Sequence, residues 1–124
     1  MNETPPSSAA ATLSDLTRRV LHHRDERLWK QFHTPKELAV SLCVEAAELL
    51  ALMQWKTGAE LDRAMIDRRE QVSDELADVL HSLLLLADDV GVDLGQALQQ
   101  KLVKDALKYP VEKARGKNLK YNEL

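Results

Sequence analysis

Two apolar stripes with helical spacing in the middle of the chain each contain a pair of carboxylates three residues apart. The first pair is Glu45 and Glu48, and the second is Glu75 and Asp78. At about 100° per residue, Glu45 and Glu75 point in the same direction as the apolar residues around them. Those neighbours are Leu38, Leu42, Leu49 and Leu52 for the first pair, and Val72, Val79 and Leu86 for the second. Both helices are therefore expected to bring negative charge to the edge of a shared core.

Such charge needs a partner, because an unpaired carboxylate beside a core costs several kcal/mol and four of them repel one another. Oxygen ligands without His or Cys favour Mg²⁺, with Mn²⁺ as the alternative. Glu-x-x-Glu is also common on solvated helix faces, but two pairs inside both stripes of consecutive helices favour a metal site. We therefore predict that Glu45, Glu48, Glu75 and Asp78 are metal ligands and form the catalytic centre.

Helix-start and helix-stop signals place the stripes in an all-α fold. The chain has only four Gly and four Pro, and long stretches consist of good helix formers. Thr34 and Glu37 around Pro35 predict a capping box, and Asp93 predicts another helix start. Helices are expected at 12 to about 29, at 35 to about 54, from a start between 66 and 69 to 91, and from 94 until the Tyr-Pro pair at 109–110. Residues 55–66 are predicted as either a loop or a short helix, and the whole as a four-helix-bundle-like domain.

The length of 124 residues allows one domain with a modest core. We expect a flexible N-terminal tail at 1–11, the helical domain at 12–110 and a C-terminal extension at 111–124. The single cysteine, Cys43, excludes an intramolecular disulfide, and its apolar neighbours predict that it is buried.

Charge and hydropathy exclude two classes of partner. The net charge of −3 argues against binding to a nucleic-acid polymer, which requires a positive field. No apolar run approaches the roughly 20 residues that span a bilayer, and no signal-peptide pattern is visible at the N-terminus. A cytoplasmic protein without membrane contact is therefore expected.

Three aromatic residues, Trp29, Phe32 and Trp55, are candidates for stacking on a nucleobase, with packing in the core as the alternative. Gln31 and His33 could hydrogen-bond a base edge. A third group, Lys101, Lys104 and Lys108, follows helical spacing and is either a phosphate-binding set or a solvated cationic face.

Around these residues the chain resembles the MazG-like, all-α nucleotide pyrophosphohydrolases, and it is most similar to their dCTP pyrophosphatase branch. That family is defined by Glu-x-x-Glu followed by Glu-x-x-Asp. The shared segments, which cover most of 13–124, are WKQFHTPKEL (29–38), EAAELLALMQWK (45–56), DELADVL (74–80), VDL (92–94) and KYP (108–110).

The resemblance implies Mg²⁺-dependent hydrolysis of a nucleoside triphosphate to the monophosphate and pyrophosphate, in a house-cleaning role towards modified or surplus deoxynucleotides. It also implies a homo-oligomer, a dimer or a tetramer, in which helices pair across the subunit interface and neighbouring subunits complete the active sites. The four carboxylates take the metal-ligand role. The substrate-binding positions implied are Trp29, Lys30, Gln31, Phe32, His33, Trp55, Ser82, Lys101, Asp105 and Tyr109.

Three positions depart from the dCTP-specific pattern. Val20 stands where those enzymes carry a His, Ser82 replaces a Tyr, and Asp105 replaces an Asn. The preferred base is therefore left open between dCTP, a modified dCTP and other nucleotides. The competing readings are cleavage of another pyrophosphate bond, such as that of phosphoribosyl-ATP, and a helical oligomer that binds nucleotides or partners without catalysis.

Overall fold

The computed structural model describes residues 10–124, and all regular structure within that range is helical, which confirms the all-α class. The α-helices are α1 (Leu13–Glu26), α2 (Pro35–Ala51), α3 (Gly58–Asp67), α4 (Arg69–Val90), α5 (Leu94–Lys108) and α6 (Val111–Ala114). Two 3₁₀ turns cover Lys30–Phe32 and Tyr121–Glu123. Residues 1–9 of the predicted tail lie outside the described residues. None of the helices described combines the length and apolarity needed to cross a bilayer.

Capping side chains lie where the helices begin, at Thr34 and Asp93 as predicted and also at Thr12. Thr12 and Asp15 form a reciprocal capping box at α1. The Thr34 hydroxyl accepts the backbone N–H of Glu37 at 3.2 Å, and Asp93 caps α5 in the same way. The full capping box expected at α2 is wrong. The Glu37 carboxylate pairs with the neighbouring Lys36 and does not accept the backbone N–H of Thr34.

Helix ends differ from the sequence prediction at two places. The first helix stops at Glu26 rather than about Trp29, because Leu28 adopts a left-handed backbone conformation with φ of 54°. The second stops at Ala51 rather than about Gln54. Residues 55–66, predicted as either a loop or a short helix, contain most of α3, so the helical alternative is correct. The predicted end at Gly91 is confirmed, with φ of 71°.

The chain divides into two compact units, one ending at Gly91 and one formed by Val92–Leu124. In the first unit α4 is the central helix, contacted by α1, α2 and α3, and most extensively by α2. The buried apolar side chains of this unit are Leu38, Ala64, Leu84, Leu85 and Ala87. The second unit consists of α5, α6 and the 3₁₀ turn, with Tyr109 and Tyr121 in edge-to-face contact at 6.2 Å between ring centroids.

One hydrogen bond marks the end at which α2 and α4 are joined. The Arg68 guanidinium, just before α4, donates to the carbonyl of Leu52, just after α2, at 3.3 Å. The two helices therefore run antiparallel from this point. Glu45 lies seven residues before Leu52 and Glu75 lies seven residues after Arg68. Equal steps along two antiparallel helices, each about 10 Å at 1.5 Å per residue, bring both carboxylates to the same level.

Buried Arg24 joins the end of α1 to α4. Its side chain contacts the carboxylates of Asp25 at 2.8 Å and Asp88 at 4.0 Å, and the residue is only 6% exposed. Its carbonyl accepts the backbone N–H of Trp29 at 3.1 Å. The chain after α1 is thus tied to the same point that anchors α1 on the central helix.

The prediction that Cys43 is buried is wrong, because its side chain is exposed. Apolar neighbours in sequence did not indicate which face of α2 packs against α4. Leu38 is buried and Leu42, Leu49 and Leu52 are partly buried, whereas Val40 and Val44, on the opposite face, are about half exposed.

Candidate metal centre

The facing sides of α2 and α4 bring three of the predicted ligands together. Glu45, Glu48 and Glu75 each offer a carboxylate oxygen, and these oxygens all lie within 4.8 Å of one another. Glu45 and Glu75 are half-buried, as their positions within the apolar stripes predicted, while Glu48 is exposed. The cluster is therefore open to solvent on one side and closed by the helix pair on the other.

Asp78 is exposed and does not belong to this three-way set, although it lies near it. Its negative charge contributes to raising the pKa of both Glu45 and Glu75. The fourth predicted ligand is therefore at the rim of the cluster, one helical turn after Glu75.

The carboxylates of the cluster repel one another and are partly removed from solvent. Burial, and then the negative charge of Glu48, raise the pKa of Glu45 to about 7. The same two causes, in the same order, raise the pKa of Glu75. Both groups thus hold a proton more tightly than an ordinary glutamate, since no cation among the side chains described compensates them.

The donor set fits a hard divalent cation. One oxygen of Glu45 and one of Glu75, both named Oε2, are buried without a hydrogen-bond partner among the residues described. A buried acceptor without a donor is unfavourable, and a cation within reach of several such oxygens would satisfy them together. Glu45, Glu48 and Glu75, with Asp78 at the rim, are the residues that would hold it.

The aromatic residues predicted to contact a base lie at the surface of the first unit rather than in its core. Trp29 is 45% exposed, and Phe32 and Trp55 are more exposed still, at 67% and 85%. The core-packing alternative is therefore wrong for Phe32 and Trp55, while Trp29 packs partly against His23.

The polar residues of the same segment have separate environments. Lys30 is exposed, and Gln31 uses its side-chain N–H to bind the carbonyl of Leu28 at 2.8 Å. The Nδ1 atom of His33 is buried with no partner in the described part of the chain. Ser82 is buried within α4. Their proposed contacts with a substrate stay predictions.

Three predicted positions lie in the second unit. Lys101 and Asp105, four residues apart on exposed parts of α5, pair with each other. Tyr109 follows the end of α5 and packs on Tyr121, above which the Lys108 ammonium lies 5.1 Å from the ring centroid. A phosphate that bound Lys101 would have to displace the Asp105 carboxylate from it.

Sequence reasoning missed His23 and His81. Their rings meet edge to face at 5.9 Å between centroids, and His23 also meets Trp29 at 5.8 Å. His81 lies three residues after Asp78, so its spacing on the acidic helix was a signal that could have drawn attention to it. Nothing in the sequence linked it to His23, because that contact joins two distant helices.

Comparison with known proteins gives concordant matches. The sequence model of the MazG-like family matches residues 40–124. dCTP pyrophosphatase 1 of Homo sapiens is 39% identical and that of Rattus norvegicus 38% identical over 119 residues, covering 94% of this chain and 70% of each relative. The crystal structure of a pyrophosphatase from Archaeoglobus fulgidus superposes with a TM-score of 0.76 at 35% identity, covering 85% of this chain and 98% of the other.

Proposed function

The chain belongs to the MazG-like family and is a nucleoside triphosphate pyrophosphohydrolase, and we propose that its reaction depends on Mg²⁺ and acts on deoxynucleotides. dCTP or a modified dCTP is the first candidate substrate, because the similar proteins from Homo sapiens and Rattus norvegicus are dCTP pyrophosphatases. The observation that carries the metal dependence is the convergence of Glu45, Glu48 and Glu75 within 4.8 Å. We extend the proposal to a house-cleaning role in the cytoplasmic nucleotide pool, which is the role that the family resemblance implies.

Cleavage between the α and β phosphates consumes one water and yields the monophosphate and pyrophosphate. Mg²⁺, when bound, supplies positive charge to the phosphate oxygens and lowers the pKa of a water molecule. Glu45 and Glu75, which are half-buried, would hold the cation together with the exposed Glu48 and Asp78. A carboxylate oxygen at the open side also accepts the proton that the attacking water loses. The exposed ring of Trp29 offers its face to the base.

A substrate panel tests the proposal. We expect pyrophosphate release in the presence of Mg²⁺ from at least one of dCTP, 5-modified dCTP, CTP, dTTP, dATP and dGTP, with the monophosphate as co-product by mass spectrometry. EDTA is expected to stop the reaction and Mn²⁺ to restore part of it, since Mn²⁺ also accepts oxygen ligands.

Three results would contradict the proposal. Release of inorganic phosphate with a diphosphate co-product would mean that the wrong anhydride had been assigned. Turnover of phosphoribosyl-ATP alone would move the substrate outside the deoxynucleotides. Saturable nucleotide binding without any product would favour the non-catalytic alternative.

We also propose that a second copy of the chain covers the outer face of α2, giving a homodimer or homotetramer. This face carries a second apolar stripe, about 200° from the one that packs on α4. Val40 and Val44 are each about half exposed on it. Outside this stripe, Leu50 of α2 and Leu76 of α4 are also about half exposed. Apolar side chains repeated at helical spacing on an open surface are typical of a protein interface.

Sedimentation equilibrium tests this assembly. The wild type is expected at a multiple of 14.0 kDa, and Val44→Glu is expected to shift the mass towards the monomer, because an unpaired charge in an apolar interface is strongly unfavourable. Lys36→Glu introduces the same side chain at the start of the same helix and is the control. A Val44→Glu protein with the wild-type mass would place the interface elsewhere.

A further inference from the structure

Three histidines from three parts of the first unit lie on or near α4, the helix that carries Glu75 and Asp78. His23 lies on α1, His33 just before α2, and His81 on α4. The His23 and His81 rings meet at an interplanar angle of 81°. Burial, then the neighbouring His23 and, more weakly, His33, lower the pKa of His81, while Asp78 opposes them. The three imidazoles therefore lie near one another and near the carboxylate of Asp78.

Trp29 joins this cluster from the connector after α1. Its indole meets the His23 ring edge to face, with 5.8 Å between centroids and 73° between planes. The Arg27 guanidinium lies 5.8 Å from the same indole, and the guanidinium in turn donates to the carbonyl of His23 at 3.0 Å. With the backbone bond of Trp29 to Arg24, the indole is held at three points while much of its surface is left open.

The contacts form a continuous chain from α4 to the exposed indole. His81 sits one turn after Asp78, His23 spans the gap between α4 and the connector, and Trp29 ends the chain. Because α4 also carries Glu75, the ring pair relates the position of the indole to that of the carboxylate cluster. A nucleobase stacked on the indole and a triphosphate held at the cluster must fit that separation at the same time.

We propose that His23 and His81 are positioning residues that fix the Trp29 indole relative to the carboxylate cluster and thereby set the affinity for the nucleobase. The inference rests on the proposed function in one respect, since it takes Trp29 as the residue that contacts the base. His23 acts through its ring shape, so another flat aromatic ring can replace it. His81 acts as the support of His23 on the central helix.

Fluorescence of Trp29 provides a readout that does not depend on turnover. In a Trp55→Phe background Trp29 is the sole tryptophan, and acrylamide quenching then measures how freely it is exposed. In that background His23→Ala is expected to raise the quenching constant and to weaken Mg²⁺-dCTP binding, followed by Trp29 emission, roughly two- to tenfold, the range of one aromatic pair. KM is expected to rise in the same proportion, with kcat changed less than about twofold.

Rescue and control variants separate positioning from a general loss of structure. His23→Phe keeps an edge-to-face ring and is expected to restore quenching and affinity to the parent values. His81→Leu, which keeps bulk but removes the supporting ring, is expected to shift both in the direction of His23→Ala. His22→Ala makes the same change one residue earlier, at an exposed side chain that pairs with Glu26, and is expected to match the parent.

Either of two results would overturn the inference. One is a His23→Ala protein with parental quenching and parental affinity. The other is a His23→Phe protein as impaired as His23→Ala, which would require the imidazole nitrogens rather than the ring. Failure of the proposed function looks different, because the parent would then release no pyrophosphate from any nucleotide while the quenching and binding comparisons could still be made.

Discussion

Glu45→Gln is expected to lower kcat for pyrophosphate release by about 10³-fold or more, because losing a ligand charge removes several kcal/mol of transition-state stabilisation. Glu75→Gln is expected to have an effect of the same order, since the two residues face each other at one level of the helix pair. Steady-state release of pyrophosphate at saturating Mg²⁺, with the substrate that the panel identifies, measures both effects.

The matched control is Glu60→Gln, the same change at an exposed position in the first turn of α3. It is expected to retain wild-type turnover. Both active-site variants are expected to remain folded by circular dichroism, because replacing a carboxylate by a neutral amide removes repulsion within the cluster. Full activity in Glu45→Gln and Glu75→Gln would refute the assignment of the metal centre.

The second large effect concerns stability without metal. The pKa of Glu45 is about 7 in the folded chain against an ordinary value of 4.5, so between these two pH values the folded state holds a proton that the unfolded state has released. The free energy of unfolding in EDTA is therefore expected to fall as pH rises from about 4.5 to 7. Glu75 acts in the same direction, because its pKa is also raised.

His81 contributes a slope of the opposite sign. Its pKa is lowered, so over the range below 6.5 the unfolded state binds more protons, and this contribution to stability rises with pH. Subtracting the free energy of unfolding of Glu45→Gln from that of the wild type cancels the contribution of His81, since both proteins contain this residue. That difference is the quantity that should change between pH 4.5 and 7.

Added Mg²⁺ should reverse the trend, because a cation that binds only the folded state stabilises it by RT ln(1 + [Mg²⁺]/Kd) and binds the ionised carboxylates best. Urea unfolding at pH 5, 6, 7 and 8, with EDTA and with Mg²⁺, is the measurement. Stabilisation by Mg²⁺ that is equal at pH 5 and pH 8, or equal in Glu45→Gln, would show that the ion does not bind at this cluster.

The sequence predicted the parts of the site that depend on periodicity within one helix. Glu45 and Glu75 fall inside apolar stripes, and a residue so placed must face the neighbouring helix whatever the rest of the chain does. Glu48 and Asp78 lie off the centre of the stripe, so whether they are buried depends on how closely the helices approach, which a single stripe does not encode.

The parts that escaped prediction depend on contacts between elements or on an unfavourable local conformation. Leucine rarely adopts a left-handed backbone, so nothing at position 28 indicated that α1 would end about three residues earlier than predicted. The contact between His23 and His81 joins α1 to α4, and the exposure of Cys43 depends on which face of α2 finds a partner within the chain. Each is a property of packing rather than of spacing.

The hydrogen bond between Arg68 and Leu52 joins the end of α2 directly to the start of α4, whatever the length of the loops on either side of α3. The two residues are 16 positions apart in the sequence. Glu45 and Glu75 each lie seven residues from this hydrogen bond, which is why they lie at the same level of the helix pair. Changes in the length of the intervening loops would alter closure entropy by only about 0.6 kcal/mol per doubling. One residue inserted between Glu45 and Leu52, by contrast, would rotate the carboxylate by about 100° away from its partner. We therefore expect the loops between Leu52 and Arg68 to tolerate changes in length, and residues 45–52 and 68–75 not to tolerate insertions.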